Sequence, residues 1–195
     1  MAQAIFKNEA DAEIASRVKA LLCAQERVLL AIDGCCCAGK TTLAARLGAR
    51  LGANVFHMDD YFLQPHMRTP ERLAQPGGNV DAERFLSEVL LPAARGETAE
   101  VRRYDCREDR LMPPVPVRPS RVAIVEGAYS LHPLLAPHYD LRLFCRVDAA
   151  LQAARIRARN GEDALPVFLA RWIPLENAYF RALDIEAQCD IVIDS

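Results

Sequence analysis

Gly34, Cys35, Cys36, Cys37, Ala38, Gly39, Lys40, Thr41 and Thr42 follow one another in this chain and satisfy the pattern G-x-x-x-x-G-K-[ST] at every fixed position. Before them, Arg27-Val-Leu-Leu-Ala-Ile-Asp33 is an apolar run of the kind that forms a buried strand. After them, residues 40–51 repeat apolar side chains every three to four positions, as a helix does, and Gly52 closes the run. A strand that feeds a helix through this loop predicts an anion site. The backbone must turn tightly enough for several N–H groups to face inward, and side chains at Gly34 and Gly39 would obstruct that turn. The positive end of the helix adds to the attraction. Lys40 is expected to reach the β- and γ-phosphates as a point charge, with the Thr41 hydroxyl beside the magnesium ion that neutralises them. ATP and Mg2+ are the expected cofactors, held by residues 34–42.

The remaining pattern extends that frame. Ile14, Val18, Leu21 and Leu22 recur at helical spacing within residues 9–25, and residues 53–57 read as a short second strand. Continuous apolar strands follow at 121–127 and 141–147, and a last one at 190–194. Residues 148–183 read as largely helical, with an Arg-rich break around 155–163. Strands alternating with helices predict an α/β fold, a P-loop three-layer sandwich with a mostly parallel central sheet and helices on both faces. Residues 58–78 are Pro- and Gly-rich and read as a long loop, after which Asp81 is placed to cap a helix carrying Phe85, Leu86, Val89 and Leu90. Residues 97–118, with a proline cluster, read as a hairpin-like excursion. The expectation is a single domain over 1–195, with an acceptor-side insertion at about 58–118 and an Arg-rich lid at about 155–172.

Composition narrows the partners. With 195 residues there is room for one sizeable core. A net charge of -2 supplies no basic field for a polyanion, so nucleic acid is not an expected partner. No run approaches the roughly 18 apolar residues of a membrane span, and the N-terminal residues lack the apolar core of a signal peptide. A cytoplasmic location is expected; a homo-oligomer is left open. The seven cysteines, an odd number without paired spacing, read as reduced core thiols. Three of them sit in the loop, where amides and Lys40 could lower a thiol pKa, although small fillers are the simpler reading. His57, His66, His132 and His138 show no metal-ligand spacing and read as structural.

Glu126 ends a buried strand before Gly127, where an acid can stand beside a bound metal or merely cap the next turn. Asp59 and Asp60 follow the second strand, so a parallel sheet brings them to the same edge as the loop. One of the two could take a proton from an alcohol; otherwise they are solvated loop acids. Arg155, Arg157, Arg159 and Arg171 bracket Asn160-Gly161, and guanidinium groups there could fold over a γ-phosphate or simply form a solvated helix face.

Taken with Met58-Asp-Asp-Tyr-Phe62, Arg68-Thr-Pro-Glu-Arg72, Pro76-Gly-Gly-Asn-Val-Asp81, Tyr104-Asp105, Val125-Glu-Gly127 and Arg159-Asn-Gly161, in that order, the sequence resembles the uridine kinase and phosphoribulokinase family, and most of all its bacterial uridine kinase-like members. The resemblance spans about residues 28–194. It implies a P-loop kinase fold, MgATP as donor and a hydroxyl of a small molecule as acceptor. By position it implies Asp59 as the catalytic carboxylate with Asp60 and Tyr61 beside it, Arg84 and Tyr104 at the acceptor, and Lys40, Thr41 and Glu126 at MgATP. Arg155, Arg157 and Arg159 fall in the implied lid, the first and third as catalytic groups. The implied acceptor is a nucleoside such as uridine or cytidine, converted to its 5'-monophosphate. Uridine-cytidine kinases carry a base-reading histidine a few residues after the tyrosine, whereas Tyr104-Asp-Cys-Arg-Glu-Asp109 has none. Another alcohol, such as pantothenate, a sugar phosphate or nicotinamide riboside, is therefore the alternative. A nucleotide-binding regulatory protein without turnover is the further one, although no Asn-Lys-x-Asp guanine-reading motif accompanies the loop.

Overall fold

The computed structural model describes residues 3–194, with side chains from Ala10 onward. In chain order the strands are β1 (Gln3–Phe6), β2 (Val28–Gly34), β3 (Asn54–His57), β4 (Ala99–Val101), β5 (Tyr104–Asp105), β6 (Arg110–Leu111), β7 (Val115–Val117), β8 (Val122–Glu126), β9 (Leu141–Arg146) and β10 (Ile191–Asp194). The α-helices are α1 (Lys7–Ala24), α2 (Lys40–Leu51), α3 (Pro70–Leu73), α4 (Ala82–Phe85), α5 (Leu91–Arg95), α6 (Ala149–Asn160), α7 (Leu165–Val167) and α8 (Ile173–Ala182). Six strands form one sheet in the order β1-β10-β9-β2-β8-β3, and each neighbouring pair in it is parallel.

Alternation along the strands fills two cores. Leu30 and Ile32 of β2 point to one face with Ile124, Leu143 and Ile193, against Ile14 and Val18 of α1 and Leu43 and Leu47 of α2. Leu29 and Ala31 point to the other with Val125, Phe144 and Val192, against Phe85, Val89 and Tyr179. Every residue of β2 and of β8 is buried, which is why these strands read as unbroken apolar runs rather than alternating ones. The three-layer α/β sandwich expected from the sequence is the observed fold, and its central sheet is parallel throughout.

Because the strands share a direction, their carboxyl ends meet at one edge. The loop after β2, the turn Met58–Asp60 after β3 and Glu126 at the end of β8 emerge there together. In register, His57 pairs with Glu126, and Gly34 with Cys145.

Two local expectations are corrected, and one strand was not foreseen. Residues 58–78 are not structureless: tight 3-10 turns form at Met58–Asp60 and Pro65–Met67, and α3 starts at Pro70 with Thr69 as a side-chain cap. The Arg-rich break does not begin at Arg155; α6 runs unbroken through Arg155, Arg157 and Arg159 and ends at Gly161, because Ala, Arg and Gln are good helix formers. At the other end of the chain, β1 adds an edge strand beside β10 that the pattern did not announce. The excursion at 97–118 is built from two small antiparallel pairs, β4 with β7 and β5 with β6.

Candidate active site

The loop between β2 and α2 owes its path to two glycines. Gly34 has φ of 125°, and a Cβ there would sit 2.2 Å from the carbonyl oxygen of Cys145 on β9. Glycine alone permits that approach. Gly39, with φ of 91°, opens α2, whose N-terminus no side chain caps, so the first-turn amides and the positive end of the helix face the cavity ahead of it. Between them Cys37 takes φ of 58°, a left-handed conformation that costs a residue with a Cβ about 1 kcal/mol. Lys40 is buried, and its Nζ donates to the carbonyls of Gly34 at 2.7 Å and Cys35 at 2.9 Å. Burial opposes its charge, but Glu176 and then Asp33 outweigh that and hold its pKa above the ordinary value.

Thr41 Oγ1 lies 3.1 Å from both carboxylate oxygens of Glu126, and His57 Nδ1 lies 2.6 Å from Glu126 Oε1. The His57 pKa is raised, chiefly by that bond to Glu126. Read as structural from sequence, His57 instead stands at the site. Hydroxyl and carboxylate are the hard oxygen donors that Mg2+ takes, typically one or two protein groups with water and phosphate completing the set.

A cavity of about 590 Å³ is lined by Cys37, Lys40, Thr41, Thr42, Asp59 and Glu126, together with Arg155, Arg159 and Glu176. Asp59 is exposed and opens on this space, with protein atoms crowded around its carboxyl group. That crowding raises its pKa, Lys40 opposes the rise and Glu126 adds to it. The same carboxylate lines an adjoining cavity of about 870 Å³ with Asp60, Arg103, Tyr104 and Arg107. Asp60 there is paired with Arg103 at 2.7 Å. Tyr104 bonds through its hydroxyl to Asp109 and accepts from Arg68 Nη2 at 2.7 Å. A third cavity, of about 730 Å³, is lined by Phe62, Leu63, Leu73, Trp172 and Leu175 with Arg68 and Arg171.

The arginines expected to form a lid divide. Arg155 donates to the Cys37 carbonyl at 3.1 Å and Arg159 lines the first cavity. Arg157 turns outward to an exposed pair with Glu162, away from the nucleotide side expected of it. Arg171 stacks over Trp172 at the third cavity. Two residues expected at the acceptor are packed into the core instead. Tyr61 is 1 % exposed, and its hydroxyl engages Glu88 and the Arg102 amide. Arg84 is 8 % exposed, pairs with Asp81 and Glu88 and lies 4.1 Å from the Tyr61 ring. Their chemistry is spent on holding the 82–95 helical run against the β4 segment.

Asp33 and Glu176, which the sequence did not single out, are at the centre of the loop's support. Asp33 is fully buried and accepts from the amides of Gly34, Tyr129 and Leu131 at 2.7, 3.2 and 2.9 Å and from the Tyr179 hydroxyl at 2.9 Å. Burial raises its pKa, and the amides only partly offset that. Glu176 Oε2 accepts from the Cys36 amide at 2.9 Å, and Gln152 Nε2 donates to the Cys36 carbonyl at 3.0 Å. Neither Cys35 nor Cys36 is activated: burial pushes Cys35 up, and burial followed by Glu176 pushes Cys36 up to about 12. Nor are the cysteines uniformly core residues, since Cys23 and Cys106 are exposed and only Cys36, Cys145 and Cys189 are buried. No helix among the described residues is long and apolar enough to cross a membrane.

No protein-family model matches the chain. Among solved structures it is similar to that of a possible uridine kinase from Bacillus stearothermophilus, with a TM-score of 0.66 at 21% identity over 93% of this chain and 100% of that one. It is also similar to YFH7 from Saccharomyces cerevisiae, a circularly permuted P-loop protein, with a TM-score of 0.65 at 12% identity over 95% of this chain and 98% of that one. With a loop of the phosphate-binding pattern between β2 and α2 and a parallel sheet behind it, the chain shares the α/β fold of these two structures.

Proposed function

We propose that this protein is an ATP-dependent phosphotransferase acting on a hydroxyl of a small molecule, with the 5'-hydroxyl of a pyrimidine nucleoside as its first candidate acceptor. One observation carries the reading: Asp59 lines both the cavity of the phosphate loop and the adjoining cavity with Tyr104, so a single carboxylate faces donor and acceptor. The loop amides, Lys40 and the N-terminus of α2 bind the triphosphate, and Arg155 and Arg159 cover its far side. Thr41 and Glu126 would hold Mg2+, which when bound neutralises charge on the β- and γ-phosphates. Asp59 orients the acceptor hydroxyl and takes its proton as the oxygen bonds to the γ-phosphorus, while the bond from that phosphorus to the ADP oxygen breaks. Its pKa is raised above the ordinary carboxylate value, which makes it a stronger base than a solvated Asp.

Arg103 and Arg107 in the second cavity favour a second reading, an acceptor that itself carries a phosphate or carboxylate. ADP release measured across pyrimidine nucleosides, sugar phosphates, pantothenate and nicotinamide riboside tests both. Turnover of uridine or cytidine supports the first, turnover of anionic alcohols alone replaces it with the second, and no turnover on any alcohol defeats the kinase reading. Asp59→Asn should lower transfer by at least about a hundredfold while MgATP still binds. Loss of both together would remove Asp59 from the role of base.

A further inference from the structure

We infer that Glu176 is a further residue of the nucleotide site, a positioning residue whose carboxylate occupies the phosphate loop before nucleotide arrives and lowers the loop's affinity for the incoming anion. The inference rests on the nucleotide reading above and concerns a residue that reading does not use.

Glu176 comes from α8, far along the chain from the loop, and is buried. Its Oε2 takes the N–H of Cys36 in a buried bond of 2.9 Å, and it lines the same cavity as Lys40, Thr41 and Thr42. It is also foremost among the carboxylates that sustain the charge of Lys40. Lys40, meanwhile, donates to the loop's own carbonyls. An amide and the ammonium of the anion site are thus both engaged within the protein, with a carboxylate set where negative charge is expected from outside.

A triphosphate entering that cavity meets a like charge at close range, and in a partly buried setting such repulsion is several times stronger than in water. Glu176 must withdraw from Cys36, or the phosphates are held less tightly. Its setting allows withdrawal. The helix carrying it is preceded by a π-turn at Phe168–Trp172, a loosely wound segment of the kind often found at functional sites. The rival role for the same contact is a strut that holds the loop in shape, and that role predicts the opposite sign on removal.

The experiment is calorimetric titration of the full chain with MgATP and with metal-free tripolyphosphate, comparing wild type, Glu176→Gln, Glu176→Asp and Glu176→Ala. Gln keeps an oxygen for the Cys36 amide and removes the charge. It should tighten binding of both probes by about tenfold or more, the effect of deleting one nearby like charge. Asp keeps the charge and should show no such gain. Ala should also gain, although by less, because the amide loses its internal acceptor. Binding by Glu176→Gln that is unchanged or weaker than wild type, or weaker binding by Glu176→Ala with a lower Tm, overturns the inference in favour of the strut. That failure is distinguishable from failure of the nucleotide reading itself, in which neither wild type nor Glu176→Gln binds either probe.

Discussion

Asp33 places a carboxyl group at the penultimate residue of β2 and satisfies it with three amides and one hydroxyl. Removing one partner of such a cluster is costlier than never having built it, because the remaining groups stay buried and unpaired. Asp33→Ala is therefore expected to destabilise the fold by about 3–5 kcal/mol, and Asp33→Asn by less, in urea unfolding; a loss under about 1 kcal/mol for Ala would contradict that account. The pH dependence of transfer follows from Asp59. Its pKa is raised by the loss of water around its carboxyl group, and the working form of the proposed base is the ionised one, so activity is lost on acidification earlier than an ordinary carboxylate near 3.8 would allow. The acid limb of kcat/KM should lie above that value, and a limb at or below it would argue that Asp59 is not the group titrating. That the loop, Asp59 and Glu126 meet at one cavity was legible because their placement follows from sequence spacing and position at strand ends. Asp33, His57 and Glu176 were not. Asp33 looks like the polar end of an apolar run, and its partners Tyr129, Leu131 and Tyr179 are about a hundred residues or more away. Glu176 has the spacing of any solvated helical acid until the fold sets it against Cys36.

At the level of elements, α6 is the clearest lesson. Its register was obscured by reading a break at Arg155, yet helical geometry alone sorts its arginines. Arg155 and Arg159 are four residues apart and share a face, whereas Arg157 lies about 200° from Arg155 on the wheel. The buried Gln152 and Ile156 mark the inner side. The observed contacts follow that division, with Gln152 and Arg155 on the loop carbonyls and Arg157 paired with Glu162 at the surface. Arg155→Ala is accordingly expected to reduce kcat/KM by about tenfold or more, as loss of a charge-assisted contact does. Arg157→Ala should stay within about twofold, since an exposed pair contributes under about 1 kcal/mol. Steady-state kinetics on the two variants decides it, and equal losses would mean that the whole helix, rather than one face of it, serves the site. The acceptor side was harder to foresee for a related reason. Tyr61 and Arg84 occupy positions that a linear motif marks as contacts, but the 82–95 helical run and β4 close over them, and only the packed structure reveals it.

For the whole molecule, the parallel sheet makes the arrangement of the site a consequence of topology. Adjacent strands β3, β8, β2 and β9 deliver Asp59, Glu126, the loop and the carbonyl that fixes Gly34 to one edge. The strands β2, β3, β8, β9 and β10 were legible as apolar runs, whereas their order in the sheet and the edge strand β1 were not. Since the site is distributed over strands that the core holds together, a ligand that bridges them should stabilise the entire fold. A nucleotide that binds only the folded state at a hundred times its Kd adds about 2.7 kcal/mol, which for a chain of this size raises Tm by roughly 5–10 °C. MgATP should produce such a shift in a thermal scan. Asp59→Asn should keep it, because that variant removes a reacting group and a negative charge but no phosphate donor. Glu126→Gln should erase the difference between scans with and without Mg2+, because the oxygen set of Thr41 and Glu126 then loses its charge. A magnesium-dependent shift that persists unchanged in Glu126→Gln would mean that the cation is held elsewhere along the sheet edge, and would reassign the metal position while leaving the phosphate loop as it stands.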